Sequence, residues 1–295
     1  MLKQRKLYFL IAVLFGLFLF SALIVRQSGL SLYQSLKDSA SAQDTQFSGS
    51  TPTFSLPLVF KIENLIVSLP TKPIRLPIEL KNNKLRLSLL NLLLARVRAS
   101  SNSDFYEGKV IGEITGPSFS APDNFMLKGS NILLEQYPLL QMLRLSGKLG
   151  FELEVNQVLV KKIKQNNFRL EAEINEGSYQ GNYKIQGLFP IPSIKTYNLK
   201  LSASGKGRFS TLKLLDFRSD LGDVKVKGTA NFSEDYHKLN GSISGKITLT
   251  PKGQKELGDY LRMAAKSSPS ESGDGYDFNI MFDEKKITDF TVTPE

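Results

Sequence analysis

The residue types on which most enzymes and metal sites depend are scarce in this chain. It has no cysteine and one histidine, His237, in the segment EDYHKLNG. Disulfides, thiolate zinc sites, iron–sulfur clusters and cysteine nucleophiles are therefore excluded, and so are metal sites that need two histidines. A single histidine in a polar turn predicts a solvated side chain.

Carboxylates are the remaining candidates for acid–base chemistry. Glu152 and Glu154 lie two residues apart, as do Glu171 and Glu173, and alternate residues of a strand share one face. A glycosidase needs two carboxylates that converge on a cleft, but an exposed sheet face is the simpler interpretation of these pairs. The sequence has no GxGxxG, Walker or GxSxG motif. We therefore predict a non-enzyme without catalytic, cofactor-binding or metal-binding residues.

The formal net charge of +10 raises the question of a nucleic-acid partner. Lysines and arginines alternate singly with apolar residues, as in KLRLS and DVKVKG, and this pattern is typical of the wet face of a sheet. No recognition helix, zinc finger or aromatic nucleic-acid motif accompanies them, so nucleic acid is not an expected partner. Asn231 and Asn240 begin glycosylation sequons, which matter only in a host that glycosylates secreted chains.

The first 26 residues predict a cytoplasmic tip and a membrane anchor. The basic segment MLKQRK precedes an uncharged run from Leu7 to Val25, which as a helix is about 28 Å long and matches the ~30 Å hydrocarbon core of a bilayer. A cleaved signal peptide is the alternative, but its apolar region is usually about 7–15 residues with a cleavage site directly behind it. The positive-inside bias places the N-terminus in the cytoplasm and the remainder across the membrane.

Residues 27–56 are rich in Ser, Gln and Thr and predict a flexible linker. From residue 57 to 295 the pattern alternates with period two, which predicts strands with one buried face. The runs LRLSGKLGFELEV, NFRLEAEI, NYKIQGLF, LKLSASGKGRF, DVKVKGTANF, GSISGKITLT and YDFNIMF share this pattern. Short turns such as NEGS, SDLGD and EDYHKLNG predict antiparallel meanders. The expected fold is mainly β: a curved, mostly antiparallel sheet, as a groove or partly closed barrel, with a few short helices.

A Ser-Gly-Lys triplet occurs three times, with Gly147, Gly205 and Gly245 on the inward phase. A phosphate-binding P-loop needs a longer glycine-rich run between a strand and a helix. The triplets therefore predict places where a strand bends or a neighbour approaches closely.

Two helices are predicted among the strands. One is short, near Pro138 to Met142. The other lies in TPKGQKELGDYLRMAAK, with Thr250 as a cap and Pro251 in the first turn. Its predicted apolar face consists of Leu257, Tyr260, Leu261 and Ala264.

The stretch RLSLLNLLLARVRAS contains a dense leucine block, Leu89–Leu94. The flanking residues alternate as strands, whereas the block itself predicts one or two helical turns. A second membrane-inserting segment is the alternative, but the block is far below the ~20 residues a span needs, and Arg86 and Arg96 bracket it. We predict an apolar plug at the end of the sheet. On that prediction Leu93→Asp unfolds the domain, because it buries an unpaired charge.

The segment from about Phe60 to Val155 resembles the family of type II secretion system protein N. The resemblance lies in VFKIENLIVSLP, KLRLSLLNLLLARVRAS, YEGKVIGEITG, LLEQYPLLQ and LRLSGKLGFELEV. It implies an inner-membrane protein of Gram-negative bacteria with a single N-terminal span, whose periplasmic domain is an accessory or assembly component of type II secretion. Other inner-membrane proteins of that system are the implied partners. The family has no catalytic motif to transfer.

The pattern is also similar to AsmA-like envelope proteins, whose sheets form apolar grooves associated with lipid movement. This similarity implies phospholipid as an alternative ligand. Period-two alternation is the same for a sealed core and for an open lipid groove, so the two functions depend on whether the protein's own side chains fill the apolar face.

Overall fold

The computed structural model describes residues 34, 46–50, 52–55, 59–69, 76–88, 90–91, 94–117, 123–156, 167–181, 184–185, 189–190, 192–232, 239–265, 275–283 and 286–294. The predicted anchor Leu7–Val25 and His237 lie outside these residues. Among the residues described, no helix combines the length and the apolar character that crossing a bilayer requires.

The chain is mainly β, and its described strand pairings are antiparallel, as predicted. It divides into two compact units, one ending at Phe105 and the other beginning at Tyr106. The first unit contains β1 (Gln46–Gly49), β2 (Thr53–Ser55), β3 (Val59–Leu69), β4 (Leu76–Leu87) and β5 (Val97–Phe105). β3 pairs with β1, β2 and β4, and β4 pairs with β5. Residues 46–49 and 53–55, which fall in the predicted linker, are thus strands.

A bulge in the sequence KNNK interrupts the pairing of β4 with β5, between Lys81 and Lys84. Asn82 adopts a left-handed conformation with φ 51°, which asparagine tolerates better than most residues. The side chain of Asn83 turns inward, donates to the carbonyl oxygens of Ile62 (3.1 Å) and Leu80 (3.0 Å), and accepts from the Ser103 hydroxyl (2.6 Å). The bulge is therefore held by a buried, satisfied polar cluster.

The leucine block connects β4 to β5 and contains one helical turn, as predicted. The amide of Leu94 donates to the carbonyl of Leu90 at 3.2 Å. Leu90 and Leu94 are 69% and 65% exposed, so the prediction of a packed plug is wrong for these two residues. The physical reason is that Ser88 and Arg98 close the hairpin directly beneath the turn, through an N–H···O bond of 2.9 Å, and the turn projects beyond the strand ends. Leu89, Leu92 and Leu93 lie outside the described residues.

The second unit is an open sheet of ten strands in its described part. In order across the sheet the strands are β6 (Gly108–Gly116), β7 (Asn124–Leu133), β8 (Leu145–Asn156), β9 (Asn167–Tyr179), β12 (Ile194–Lys206), β13 (Phe209–Ser219), β14 (Gly222–Phe232), β15 (Leu239–Leu249), β16 (Gly275–Asp283) and β17 (Lys286–Pro294). A 3-10 turn at Leu134–Gln136 and the helix α1 (Pro138–Met142) follow β7, and the helix α2 (Pro251–Ala265) follows β15. Both helices lie where they were predicted.

Two predicted features of this unit are wrong. The segment NEGS is a bulge inside β9 and not a turn, because Glu176 has φ 54° and the pairing with β8 resumes beyond it. The segment NYKIQGLF does not form a long strand. It contributes to a separate pair of two-residue strands, β10 (Lys184–Ile185) and β11 (Phe189–Pro190).

Candidate functional site: the apolar face of the second unit

Strand register gathers the apolar residues of the ten-stranded sheet in the second unit on one side, here named the apolar face. One cross-strand row consists of Val110, Gly129, Phe151, Ala172, Leu201, Leu215, Val226, Gly245, Phe278 and Val292. The next row consists of Gly112, Leu127, Leu153, Leu170, Ala203, Leu212, Gly228, Ile243, Ile280 and Phe290. Further rows on either side are also largely apolar, so the face is continuous across the sheet.

Only part of this face is covered within residues 106–295. α2 packs against a small core of Leu249, Tyr276 and Val292 at the β15–β17 end, and the 3-10 turn and α1 lie against β8. Neither described helix packs on the strands between these places, and side chains such as Leu170 and Leu201 are only half-buried there. A domain core normally buries such residues fully, so these side chains of the described strands keep part of their surface accessible.

Glycines of the apolar face lie beneath aromatic rings of neighbouring strands. Gly205 pairs with Phe168, and Gly245 pairs with Phe278, whose ring would lie 2.8 Å from a Cβ at that glycine. A side chain at Gly205 would likewise collide with the Phe168 ring. The prediction of close approach at these two Ser-Gly-Lys triplets is confirmed. Gly147, in the remaining triplet, has φ 141° and lies against Ile174.

The start of α2 is fixed by Thr250, which confirms the predicted cap. Its hydroxyl oxygen accepts from the amide of Gly253 (3.1 Å), and the hydroxyl donates to the carbonyl of Asp220 (2.9 Å) in the β13–β14 turn. The Thr250 amide donates to the carbonyl of Leu221 at 3.0 Å. The N-terminal end of α2 is therefore attached to the neighbouring turn by backbone and side-chain bonds.

The predicted apolar face of α2 is partly wrong. Leu257 and Leu261 do pack against the core cluster, with Ala265 beside them. Tyr260 and Ala264, however, are exposed. The residues that the helix turns inward include two glycines, Gly253 and Gly258, and hydrophobic periodicity cannot detect a helix face built from glycine.

The carboxylate of Asp220 completes the attachment of α2. Its Oδ2 accepts from Lys252 Nζ at 2.6 Å, and its Oδ1 accepts from the Lys195 amide at 3.1 Å. Burial of the carboxyl opposes ionisation, but Lys252 and the amides of Lys195 and Thr196 outweigh it and hold the pKa of Asp220 below its usual range. Because the folded pKa is depressed, ionised Asp220 stabilises the folded protein. This contribution to the free energy of unfolding is complete above the unfolded pKa of about 3.9 and is lost as pH falls through the folded pKa.

We expect Asp220→Asn to lower the free energy of unfolding by about 1–2 kcal/mol at pH 7, since a partly exposed charged hydrogen bond is weakened. The difference from the unchanged protein should begin to shrink below about pH 4, where the carboxyl of the unfolded chain becomes protonated, and should disappear only below the depressed pKa of the native carboxyl. Urea unfolding at pH 7 and pH 3 measures both values. Asp277→Asn, on the exposed side of β16, is the control and should change stability little. An equal loss at both pH values would contradict the assigned ion pair.

The opposite, polar face holds the carboxylates that the sequence singled out. Glu152 and Glu171 lie directly opposite each other on β8 and β9, where like charges repel. Each has a cation beside it: Lys128 Nζ lies 3.2 Å from Glu152 Oε2, and Arg169 Nη2 lies 2.6 Å from Glu171 Oε1. Glu171 raises the pKa of Arg169. Lys128, Glu152 and Glu171 are among the residues that line a depression of about 940 Å³, but the ion pairs of these carboxylates are typical of a solvated charged face.

A second depression, about 480 Å³, lies across β13–β17 and is lined by both sequon asparagines among other residues. Asn231 and Asn240 form a register pair on adjacent strands. Among the described residues, no group of three or more His, Asp or Glu side chains is arranged to hold a metal ion.

Sequence reasoning did not single out Tyr276, Asp220 or Lys252. Tyr276 occupies an ordinary alternating position of YDFNIMF, and the partners of Asp220 are distant in sequence. In comparisons with known proteins, neither a family model, a curated protein nor a solved structure matches this chain.

Proposed function

We propose that this chain is a membrane-anchored protein of the bacterial envelope that binds lipid acyl chains on its apolar face. The observation that supports this proposal is the partial coverage of that face within residues 106–295, where leucines such as Leu170 and Leu201 remain half-buried. Continuous apolar surfaces that stay partly accessible are typical of interaction sites. In this function the sheet curves into an open groove, and the anchor at Leu7–Val25 keeps it at the inner membrane.

The dimensions of the apolar face suit an acyl chain. Ten strands spaced about 4.8 Å apart extend roughly 40 Å across the sheet, and four rows two residues apart extend about 20 Å along the strands. One bilayer leaflet contributes about 15 Å of hydrocarbon. A chain that buries about eight methylenes gains roughly 6 kcal/mol before the cost of association, which is enough for reversible binding and release.

Site-specific photo-crosslinking in living cells tests this function on the full chain. A photoreactive amino acid at Leu201, on the apolar face, should yield phospholipid adducts detectable by mass spectrometry. The neighbouring Lys200 points to the polar face and is exposed, so the same probe there is the matched control. Adducts at Leu201 at least tenfold above those at Lys200 are expected. Equal yields at the two positions would contradict lipid binding on the apolar face.

An accessory role in type II secretion is a second candidate function, supported by the resemblance of Phe60–Val155 and by the edge strand β17 of the second unit. In the described part of the chain no strand pairs with the outer edge of β17. Ile287 and Phe290 on this strand are 66% and 52% exposed. An open edge strand with exposed apolar side chains is a surface on which another protein can add a strand.

The same crosslinking experiment separates the two functions. A probe at Phe290 should yield covalent adducts with inner-membrane proteins of the secretion apparatus if this second function is correct. A probe at Thr229, exposed in the interior strand β14, is the control. Protein adducts at Phe290 without lipid adducts at Leu201 would favour the secretion role, and the reverse pattern would favour lipid binding.

A further inference from the structure

The hydroxyl of Tyr276 is buried and has no hydrogen-bond partner among the described residues. Tyr276 is 0% exposed, and its hydroxyl oxygen forms no hydrogen bond in the structure as described. A buried hydroxyl that lacks a partner costs about 1–3 kcal/mol, and most such groups in native proteins are satisfied. The position of α2 above Tyr276 therefore leaves a hydrogen-bonding group that a ligand could use.

The surface beneath α2 continues the apolar face. Tyr276 pairs in register with Ile247 on β15 and Pro294 on β17, one row beyond Phe278 and Val292. Its strand β16 presents Phe278, which packs against the core cluster, and Ile280, in the next row, to the same face. A ligand on the apolar face could therefore extend under α2 without meeting a charged row.

The two ends of α2 are held differently. Its first turn is joined to the β13–β14 turn through Thr250 and through the ion pair of Lys252 with Asp220. Leu261 and Ala265, in its C-terminal half, contact the core cluster through apolar surface. Polar contacts at the N-terminal end can act as a hinge while the apolar contacts separate.

We infer that α2 is a lid over a continuation of the lipid site, and that the Tyr276 hydroxyl donates a hydrogen bond to an ester oxygen of a bound glycerolipid when the lid lifts. The inference rests on the proposed lipid-binding function. It names the ligand class as an amphiphile whose chains lie on the uncovered strands and whose ester group reaches β16. Apolar contacts of the lipid replace those of Leu261 with the core cluster.

The chain has no cysteine, so no native thiol reacts with maleimide. Single-cysteine variants of the full chain therefore report the position of the lid alone. Leu261→Cys places a thiol on the covered side of α2, and Met263→Cys places one on its outer side, where the side chain is 65% exposed. Maleimide alkylation is measured in maltoside micelles with and without added phosphatidylglycerol. Without lipid we expect alkylation at least tenfold slower at position 261 than at 263. Added lipid should accelerate alkylation at position 261 tenfold or more and change the rate at 263 less than twofold.

Tyr276→Phe, added to the Leu261→Cys variant, tests the hydroxyl. Loss of one hydrogen bond should raise the phosphatidylglycerol concentration for half-maximal acceleration about three- to tenfold. Ala265→Cys, a smaller change on the same side of α2, repeats the measurement if Leu261→Cys folds poorly. Lipid adducts at Leu201 without acceleration at positions 261 and 265 would overturn the lid and leave the proposed function standing. An unchanged half-maximal concentration would overturn the role of Tyr276, and absence of adducts at Leu201 would overturn the proposed function itself.

Discussion

Replacing Gly253 with alanine is expected to detach the start of α2 from the sheet. Gly253 is buried, and a Cβ there would collide with the carbonyl oxygen of Leu221, whose backbone carries the turn that anchors the helix. A backbone atom cannot move aside as a flexible side chain can, so we expect a loss of about 3 kcal/mol. For a unit of this size the melting temperature should fall by roughly 6–12 °C.

Gly258→Ala is the matched control on the same helix. A Cβ at Gly258 would meet only the side-chain oxygen of Gln254, at 2.8 Å, and that flexible end can rotate away. Alanine is favoured over glycine in a helix interior by about 0.8–1 kcal/mol, so this variant should be neutral or more stable. Thermal unfolding followed by circular dichroism measures both variants. Equal destabilisation by the two substitutions would mean that the close packing of α2 on Leu221 is wrong.

The second large effect concerns the apolar face. Leu201→Asp is expected to reduce lipid adducts, measured with the photoreactive probe at Leu170, by more than tenfold, because the acyl chain would have to cover an ionised carboxylate. The protein should nevertheless remain folded, with a loss of about 1–2 kcal/mol, because Leu201 is only half-buried and an aspartate there can reach water.

Thr229→Asp introduces the same charge on the polar face, beside the uncharged Thr211 and Ser242, and should leave lipid adducts unchanged. The comparison distinguishes an open apolar face from a sealed core. In a sealed core Leu201→Asp would unfold the second unit cooperatively in urea, since an unpaired buried charge is strongly destabilising. Global unfolding of this variant would therefore contradict the proposed groove.

Local patterns were sufficient to predict most strands and both helices of the second unit. Period-two alternation is a property of neighbouring residues, and it predicts β8 and β14 because strand geometry sends alternate side chains to opposite faces. Pro138 and Thr250 mark helix starts through local capping chemistry. The segment NEGS was wrongly predicted to be a turn because its turn-forming residues also suit a bulge. Only the pairing on both sides of β9 determines which of the two forms.

The leucine block and α2 show where local pattern failed. Leu90 and Leu94 are as apolar as core residues, but the hairpin bond between Ser88 and Arg98 decides that they project from the strand ends. On α2 the inward face is set by contact with Leu221 and the core cluster, and that contact selects glycines that carry no hydrophobic signal.

By itself the sequence determined the fold class, since its alternation predicts strands with one apolar side. Its lack of cysteine and its single histidine remove thiolate chemistry and metal sites with two histidines. Tertiary structure alone decided how much of that apolar side the protein's own elements cover. Coverage depends on which distant segments meet, as α2 meets Tyr276. Alternation is identical for a covered and an uncovered face, because it records only which side of a strand each residue occupies.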